Sequence, residues 1–428
     1  ADLSAMKDIT PIFDAIIEHV PAPTVSDAPM QMHVVNVIYD PYKGQIALGP
    51  LKSGSIKKLQ KVMRITTDGE KIPSQIAFIM SFDGLARIEV PESTAGDIVA
   101  ISGIEPIKIG ETIADFANPV ALPTIHIDEP TVKMSFSVNT SPFAGTEGEF
   151  STARHIKARL EREILSDVAL QVKAAEGTDS MFTVFGRGEL HLSILIEKML
   201  REGYEFQVGK PQVIFGEKDG KKTEPFEDVF IECPEVATGT VIEKLSKRKG
   251  EMKDMRVENG TAHMHFLVST RGLIGYRNAY LTDTKGEGII NTIFHGYLPH
   301  LGEIITEHHG SLIAHESGVS TTYGLMGAQD RGKLFIGPQV KVYEGMIVGQ
   351  HSRAEDLDVN ICKEKHLTNI RSAGEGVADA YHAPVQMSLE ESIEYLGDDD
   401  LLEVTPKSLR LRKMHLKKHD RKRGNKKS

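Results

Sequence analysis

The stretch GRGELHLSILIEKMLREGYEF, residues 186–206, decides the fold. Leu192, Leu195, Ile196, Met199 and Leu200 fall at i, i+3, i+4, i+7 and i+8, one apolar face of a helix. Gly203 stands where a helix stop belongs, and Tyr204, Phe206 and Val208 then alternate as a strand. Upstream, residues 168–172 and 181–185 read as strands, and 151–166 as a helix with Ile156, Leu160 and Ile164 four apart. Val132, Met134, Phe136 and Val138 alternate as an opening strand. The order is β-α-β-β-α-β, the ferredoxin-like arrangement. It then recurs. Strand 226–233 leads to a helix opened by a Thr240/Glu243 capping box and stopped at Gly250. Strands 252–257 and 262–268, a helix at 273–284 and a strand at 288–294 follow.

Outside these modules the rhythm changes. Residues 29–125 carry short alternating runs and glycine turns with almost no helical period, which predicts a β-barrel. Before them, Thr10-Pro11 reads as a helix start, and Ile12, Phe13, Ile16, Ile17 and Val20 form one apolar stripe. That stripe has no partner element upstream, so it is expected to be the last helix of a preceding domain. Beyond residue 301 the chain is β-rich again. Ser388 and Glu391 cap a short helix carrying Leu389, Ile393 and Leu396. The expected fold is a multi-domain α+β chain. It places a closing helix and linker at 1–22, a β-barrel at 23–126, and tandem ferredoxin-like domains at 127–218 and 219–302. A β-rich C-terminal domain with a basic tail takes 303–428.

The chain has 428 residues, 40% hydrophobic and 26% charged, a composition of globular domains. No apolar run approaches the length of a membrane span, so no membrane partner is expected. Its two cysteines, Cys233 and Cys362, form neither a CxxC pair nor a disulfide framework, which fits a reducing cytoplasm. The net charge of −10 conceals a split. Residues 407–428 hold eleven Lys/Arg and one acid, so this tail is +10 and the other 406 residues carry −20. A basic tail on an acidic body points to a polyanion, or to a merely solvated terminus.

Catalytic candidates are weak. Residues 327–333, GAQDRGK, match G-x-x-x-x-G-K, but Leu334 replaces the Ser/Thr that would hold Mg²⁺. The following KLFIG reads as a strand, so 327–334 is expected to be a turn between strands, with Arg331 and Lys333 as an exposed basic pair. Glu189 and His191 in FGRGELH suggest acid–base work, yet a carboxylate at a helix start is the plainer reading. His263, His265, His308 and His309 lack the carboxylate or thiolate spacing of a metal site. No catalytic residue, metal or cofactor is assigned to this chain.

Basic clusters are better placed. Lys247, Arg248 and Lys249 end a helix, with Arg271 downstream in the same module. Lys363, Lys365, His366 and Arg371 share a glycine-containing loop. In the tail, Arg410, Arg412 and Lys413 alternate with Leu409 and Leu411 as a strand with a basic face, ordered against the acidic 390–403 region. Lys417 and Lys418 open a final stretch too polar to fold alone. Together with Arg331 and Lys333, these residues are expected to contact RNA phosphates. The aromatic signature of an RNA-recognition motif is absent.

Eight stretches carry a family resemblance. GRGELHLSILIEKMLREGYEFQVGKPQVIF resembles the third domain of elongation factor G. EPFEDVFIECPEVATGTVIEKLSKRKGEM with STRGLIGYRNAYLTDTKGEGIINTIFHGY resembles its later ferredoxin-like domain, and GQIALGPLKSGSIKK with AGDIVAISG its β-barrel. Pro50 departs from the Arg common in that barrel. LMGAQDRGKLFIGPQVKVYEGMIVGQHSR, DLDVNICKEKHLTNIRSAG and LEESIEYLGDDDLLEVTPKSLRLRK resemble the TypA/BipA translational GTPases, a segment that elongation factor G and LepA lack. The resemblance implies a ribosome-bound GTPase whose GTP and Mg²⁺ site lies in an N-terminal domain. Neither G-x-x-x-x-G-K-[ST] nor N-K-x-D occurs in these residues, so this chain is expected to be inactive alone. It further implies a monomer at the factor-binding site, touching rRNA and an A-site tRNA, with roles in large-subunit assembly, stress and cold adaptation and virulence. A LepA-type factor and a protein-interaction module stay open as alternatives.

Overall fold

The computed structural model describes residues 8–21, 28–40, 42–84, 86–124, 130–167, 169–175, 177–304, 310–364 and 382–424. It divides into two compact units, Ala1–Asp128 with Glu161–Val168, and Glu129–Leu160 with Ala169–Ser428.

In the first unit, helix α1 spans Thr10–His19, with Pro11 in its first turn and Asp8 Oδ1 accepting from the Thr10 amide at 3.0 Å. The rest is mainly a nine-stranded antiparallel sheet whose path runs from Lys71–Gln75 to Ala86–Glu89, with a separate two-stranded sheet pairing Ser55–Lys57 with Glu92–Thr94. Its long central strand, Gly44–Ser53, pairs with Gln31–His33, Asn36–Asp40 and Ile98–Ser102. Met32, Val37, Leu51, Val62, Ile79, Val99 and Ile113 fill the core. A buried fork, Arg64 to Glu111 at 2.7 Å through two nitrogens, pins the strand Lys61–Ile65. The expected barrel does not close, because the two end strands do not pair with each other. Both make poor joints: Pro73 lacks an N–H, and all four residues of Ala86–Glu89 are exposed.

The second unit begins with β1 (Val132–Ser137), the start of α2 (Ala153–Ser166, whose residues from Glu161 on group with the first unit), β2 (Gln171–Ala174), β3 (Met181–Gly186), α3 (Glu189–Arg201) and β4 (Phe206–Gly209). The sheet order is β2-β3-β1-β4, all antiparallel. Leu192, Leu195, Ile196 and Met199 of α3 are buried, and Gly203 takes φ +92° at the helix exit. The second module repeats the plan with β5 (Lys221–Pro234), α4 (Thr238–Lys247), β6 (Glu251–Glu258), β7 (Thr261–Ser269) and β8 (Ile289–Pro299). Its order β6-β7-β5-β8 matches that of the first. Helix α4 starts two residues before Thr240, which therefore caps nothing. The helix expected at 273–284 is two pieces, α5 (Thr270–Leu273) and α6 (Tyr276–Asp283), broken at Gly275 with φ +70°.

The C-terminal part builds a four-stranded sheet from β9 (Ser311–Ala314), β10 (Gly332–Leu334), β11 (Ile347–His351) and β12 (Leu357–Val359), in the order β10-β11-β9-β12. Helix α7 (Thr322–Gln329) packs on it through Leu325 and Ala328. Gly327 is thus helical, and 327–334 is a helix-to-strand turn, the reverse of a phosphate loop's strand-to-helix order. Helix α8 (Leu389–Tyr395) carries the expected Ser388/Glu391 capping box. Strands β13 (Asp400–Val404) and β14 (Leu409–Lys413) leave this sheet and extend the first module's, β13 pairing with β4. Helix α9 (Lys418–Gly424) follows, where the sequence predicts a stretch unable to fold alone.

Candidate nucleic-acid interface

The expected basic face on β14 is turned inward. Arg412 is 2% and Lys413 4% exposed. The Arg412 Nη2 donates to Thr140 Oγ1 at 2.8 Å, and its Nε lies 3.9 Å from Glu403. Arg410 pairs with Glu147 and Glu403. Lys413 sits among Asp356, Asp400 and Asp399 at 2.7, 2.8 and 3.1 Å. These carboxylates hold its ammonium protonated well above the usual lysine range, against the opposing cost of burial. The strand ends its sheet, but β11 and α8 pack against it and Met346 bridges to Arg412, so even and odd positions are both covered. Arg410, Arg412 and Lys413 are therefore structural cations, and the expectation that they meet RNA is withdrawn.

The α4 cluster is partly spent as well. Arg248 donates to the carbonyls of Gly272 and Ile274 at 2.8 and 2.9 Å, holding the α5–α6 break. Lys249 takes φ +61° and reaches Leu301 O, and Lys247 pairs with Glu243. Arg271 forks onto Glu224, which has no exposed surface, and donates to Gly302 O at 2.7 Å. Arg248 and Arg271 line a cleft of about 850 Å³ with Lys133 and Lys210, facing Glu391, Glu394 and Asp398. Its charges nearly cancel, so it lacks the one-sided potential that attracts a polyanion.

Arg331, Lys333 and Lys363 differ. All three are exposed. No carboxylate among the described residues pairs with them. Arg331 and Lys333 flank the turn between α7 and β10, and Lys363 Nζ lies 5.9 Å from the Tyr323 ring. Thr321 holds this arrangement: its hydroxyl caps α7 at Gly324 N and donates to Lys363 O. Lys365, His366 and Arg371 lie outside the described residues. Lys417 is exposed, while Lys418 pairs with Asp358 at 3.1 Å, as does Arg421.

The Glu189–His191 pairing does not form. His191 Nδ1 accepts from the Arg187 amide at 3.2 Å. Glu189 instead meets Glu394 of α8, and burial first, then that like charge, pushes its carboxyl up to about 7. The Gly275 amide opposes the shift, and Glu189 Oε1 is buried without a partner. Glu394 is also raised by burial. No sequence signal pairs these two acids, which lie on distant helices. Tyr323 was likewise overlooked. Its only clue was the Tyr323/Gly327 spacing of i, i+4.

Residues 309–418 match the TypA/BipA C-terminal domain, 221–307 the elongation factor G C-terminus, and 44–114 elongation factor Tu domain 2. Proteins named large ribosomal subunit assembly factor BipA are similar over most of the chain. The one from Synechocystis sp. is 46% identical over 96% of this chain and 69% of its own length. The one from Bacillus subtilis is 46% identical over 98% of this chain and 69% of its own. A crystal structure from Thermus thermophilus aligns at TM-score 0.44 and 17% identity, over 69% of this chain and 59% of that one.

Proposed function

The chain belongs to the TypA/BipA family, and from that premise we propose that it is the ribosome-binding portion of a translational GTPase that acts in large-subunit assembly. The observation that carries this reading is the trio Arg331, Lys333 and Lys363, exposed and without a carboxylate partner among the described residues, in the part of the chain matching the TypA/BipA C-terminal domain. In a body of −20, exposed cations that no described carboxylate pairs with serve a polyanion from outside. They bind rRNA through phosphates, without reading sequence. Lys417 and Lys418 contact the same RNA, as do Lys365, His366 and Arg371, which lie outside the described residues, and an A-site tRNA is a further partner. The two β-α-β-β-α-β modules are ferredoxin-like, and the protein works as a cytoplasmic monomer at the factor-binding site. GTP and Mg²⁺ bind outside these 428 residues. Roles in stress and cold adaptation rest on the family resemblance alone.

Co-sedimentation with purified ribosomal subunits across a salt series tests this. The variant Arg331→Ala/Lys333→Ala/Lys363→Ala should bind more weakly, with a shallower dependence of log affinity on log salt by about 2 units if each residue neutralises one phosphate. Its thermal unfolding should stay unchanged, because exposed charges contribute little to stability. Equal affinity and equal slope for both proteins would refute the assignment.

A further inference from the structure

Between α7 and the edge strand β12 lies a groove of about 750 Å³. One wall is the helix pair Tyr323 and Gly327 at i, i+4, continued past the helix end by Arg331 in the turn that follows. Tyr323 is 45% exposed. Gly327 leaves the groove open one turn along, since a Cβ there would meet no atom within 4 Å. This is not a backbone requirement, as Gly327 sits in ordinary helix. It contrasts with Gly324, where a Cβ would stand 2.4 Å from Ile361 O, so that glycine lets α7 approach the strand. Lys363 borders the ring from the opposite wall, and Arg331 closes the far end. Asp358 lines the groove but is neutralised by Lys418 and Arg421. Asp330 is the remaining acid, outnumbered by Arg331 and Lys363.

We propose that this groove receives an unpaired RNA nucleotide, its base stacked on the Tyr323 ring over the bare Gly327 and its flanking phosphates held by Lys363 and Arg331. The proposal rests on the RNA-binding reading above and deepens it. An aromatic face beside two cations suits a base and its phosphates together. A base inside a duplex offers no free face, so single-stranded RNA is the substrate class. An acidic peptide would satisfy the cations but would leave the ring and the space over Gly327 unused.

The test uses the whole chain, a fluorescein-labelled unstructured oligoribonucleotide, its duplex form, and an oligoglutamate competitor. Tyr323→Phe should retain affinity within about twofold, and Tyr323→Leu should lose about 5- to 100-fold for the single strand. Gly327→Leu should lose a similar factor by filling the seat, with unfolding temperature held or raised because glycine is replaced in a helix. Neither change should alter the salt slope, whereas Arg331→Ala should lower it by about 0.7. Wild-type affinity in both Tyr323→Leu and Gly327→Leu, alongside weakened binding in Arg331→Ala, would overturn the base seat and leave the RNA-binding reading standing. Stronger binding of the duplex, or oligoglutamate competing as well as RNA, would also overturn it. Failure of the wild-type chain to bind RNA or ribosomal subunits would overturn both.

Discussion

Replacing Glu189 by Gln should stabilise the protein at alkaline pH and do nothing at acid pH. The folded state holds this carboxyl near 7, against a usual value of 4.5. A raised acid favours folding fully below the unfolded value and loses that contribution as pH climbs through the folded one. The difference of about 2.5 units corresponds to at most about 3 kcal/mol, lost between roughly pH 4.5 and 7. Gln keeps the shape and can still accept from the Gly275 amide, but carries no charge to desolvate. It also removes the like-charge contact that Glu394 imposes on this position. Unfolding must be followed by far-ultraviolet circular dichroism or tyrosine fluorescence, since the chain has no tryptophan. The variant should melt with wild type near pH 4.5 and several degrees higher at pH 8. A variant melting at or below wild type at pH 8, or a gap that persists unchanged at pH 4.5, would refute the buried-acid account.

Three further outcomes are expected. Arg412→Ala should cost about 3–5 kcal/mol in chemical denaturation, because it empties a buried guanidinium site bonded to Thr140 and takes one of two cations from the buried Glu403; a loss below about 1 kcal/mol would mean the side chain is not held inside. Truncation after Met414 should lower ribosome affinity and flatten its salt dependence, read by co-sedimentation, and an unchanged slope would show the tail to be a bystander. Calorimetry of this chain with GTP and Mg²⁺ should give no binding heat, and micromolar affinity would contradict the reading of residues 327–334 as a helix-to-strand turn.

The sequence by itself determined what depends on neighbours along the chain. The α3 face at Leu192, Leu195, Ile196 and Met199, the exit at Gly203 and the Ser388/Glu391 cap are all local, set by 3.6-residue periodicity and by hydrogen bonds spanning one turn. So was the twice-repeated β-α-β-β-α-β order. Tertiary structure decided what depends on distant partners. Alternation in 409–413 revealed a strand but could not say that β13 would pair with β4, Val404 opposite Phe206, and thereby bury the cations it was expected to display. Short strands in the first unit revealed a sheet, whereas closure depended on two end strands meeting, and Pro73 and the exposed Ala86–Glu89 do not supply that joint. Glu189 read as a carboxylate at a helix start, and nothing local in the sequence showed that α8 would bring Glu394 against it. Periodicity reports that a face is covered, and only the folded chain specifies which element covers it, because the entropy of closing so long a loop is offset by contacts that no local pattern records.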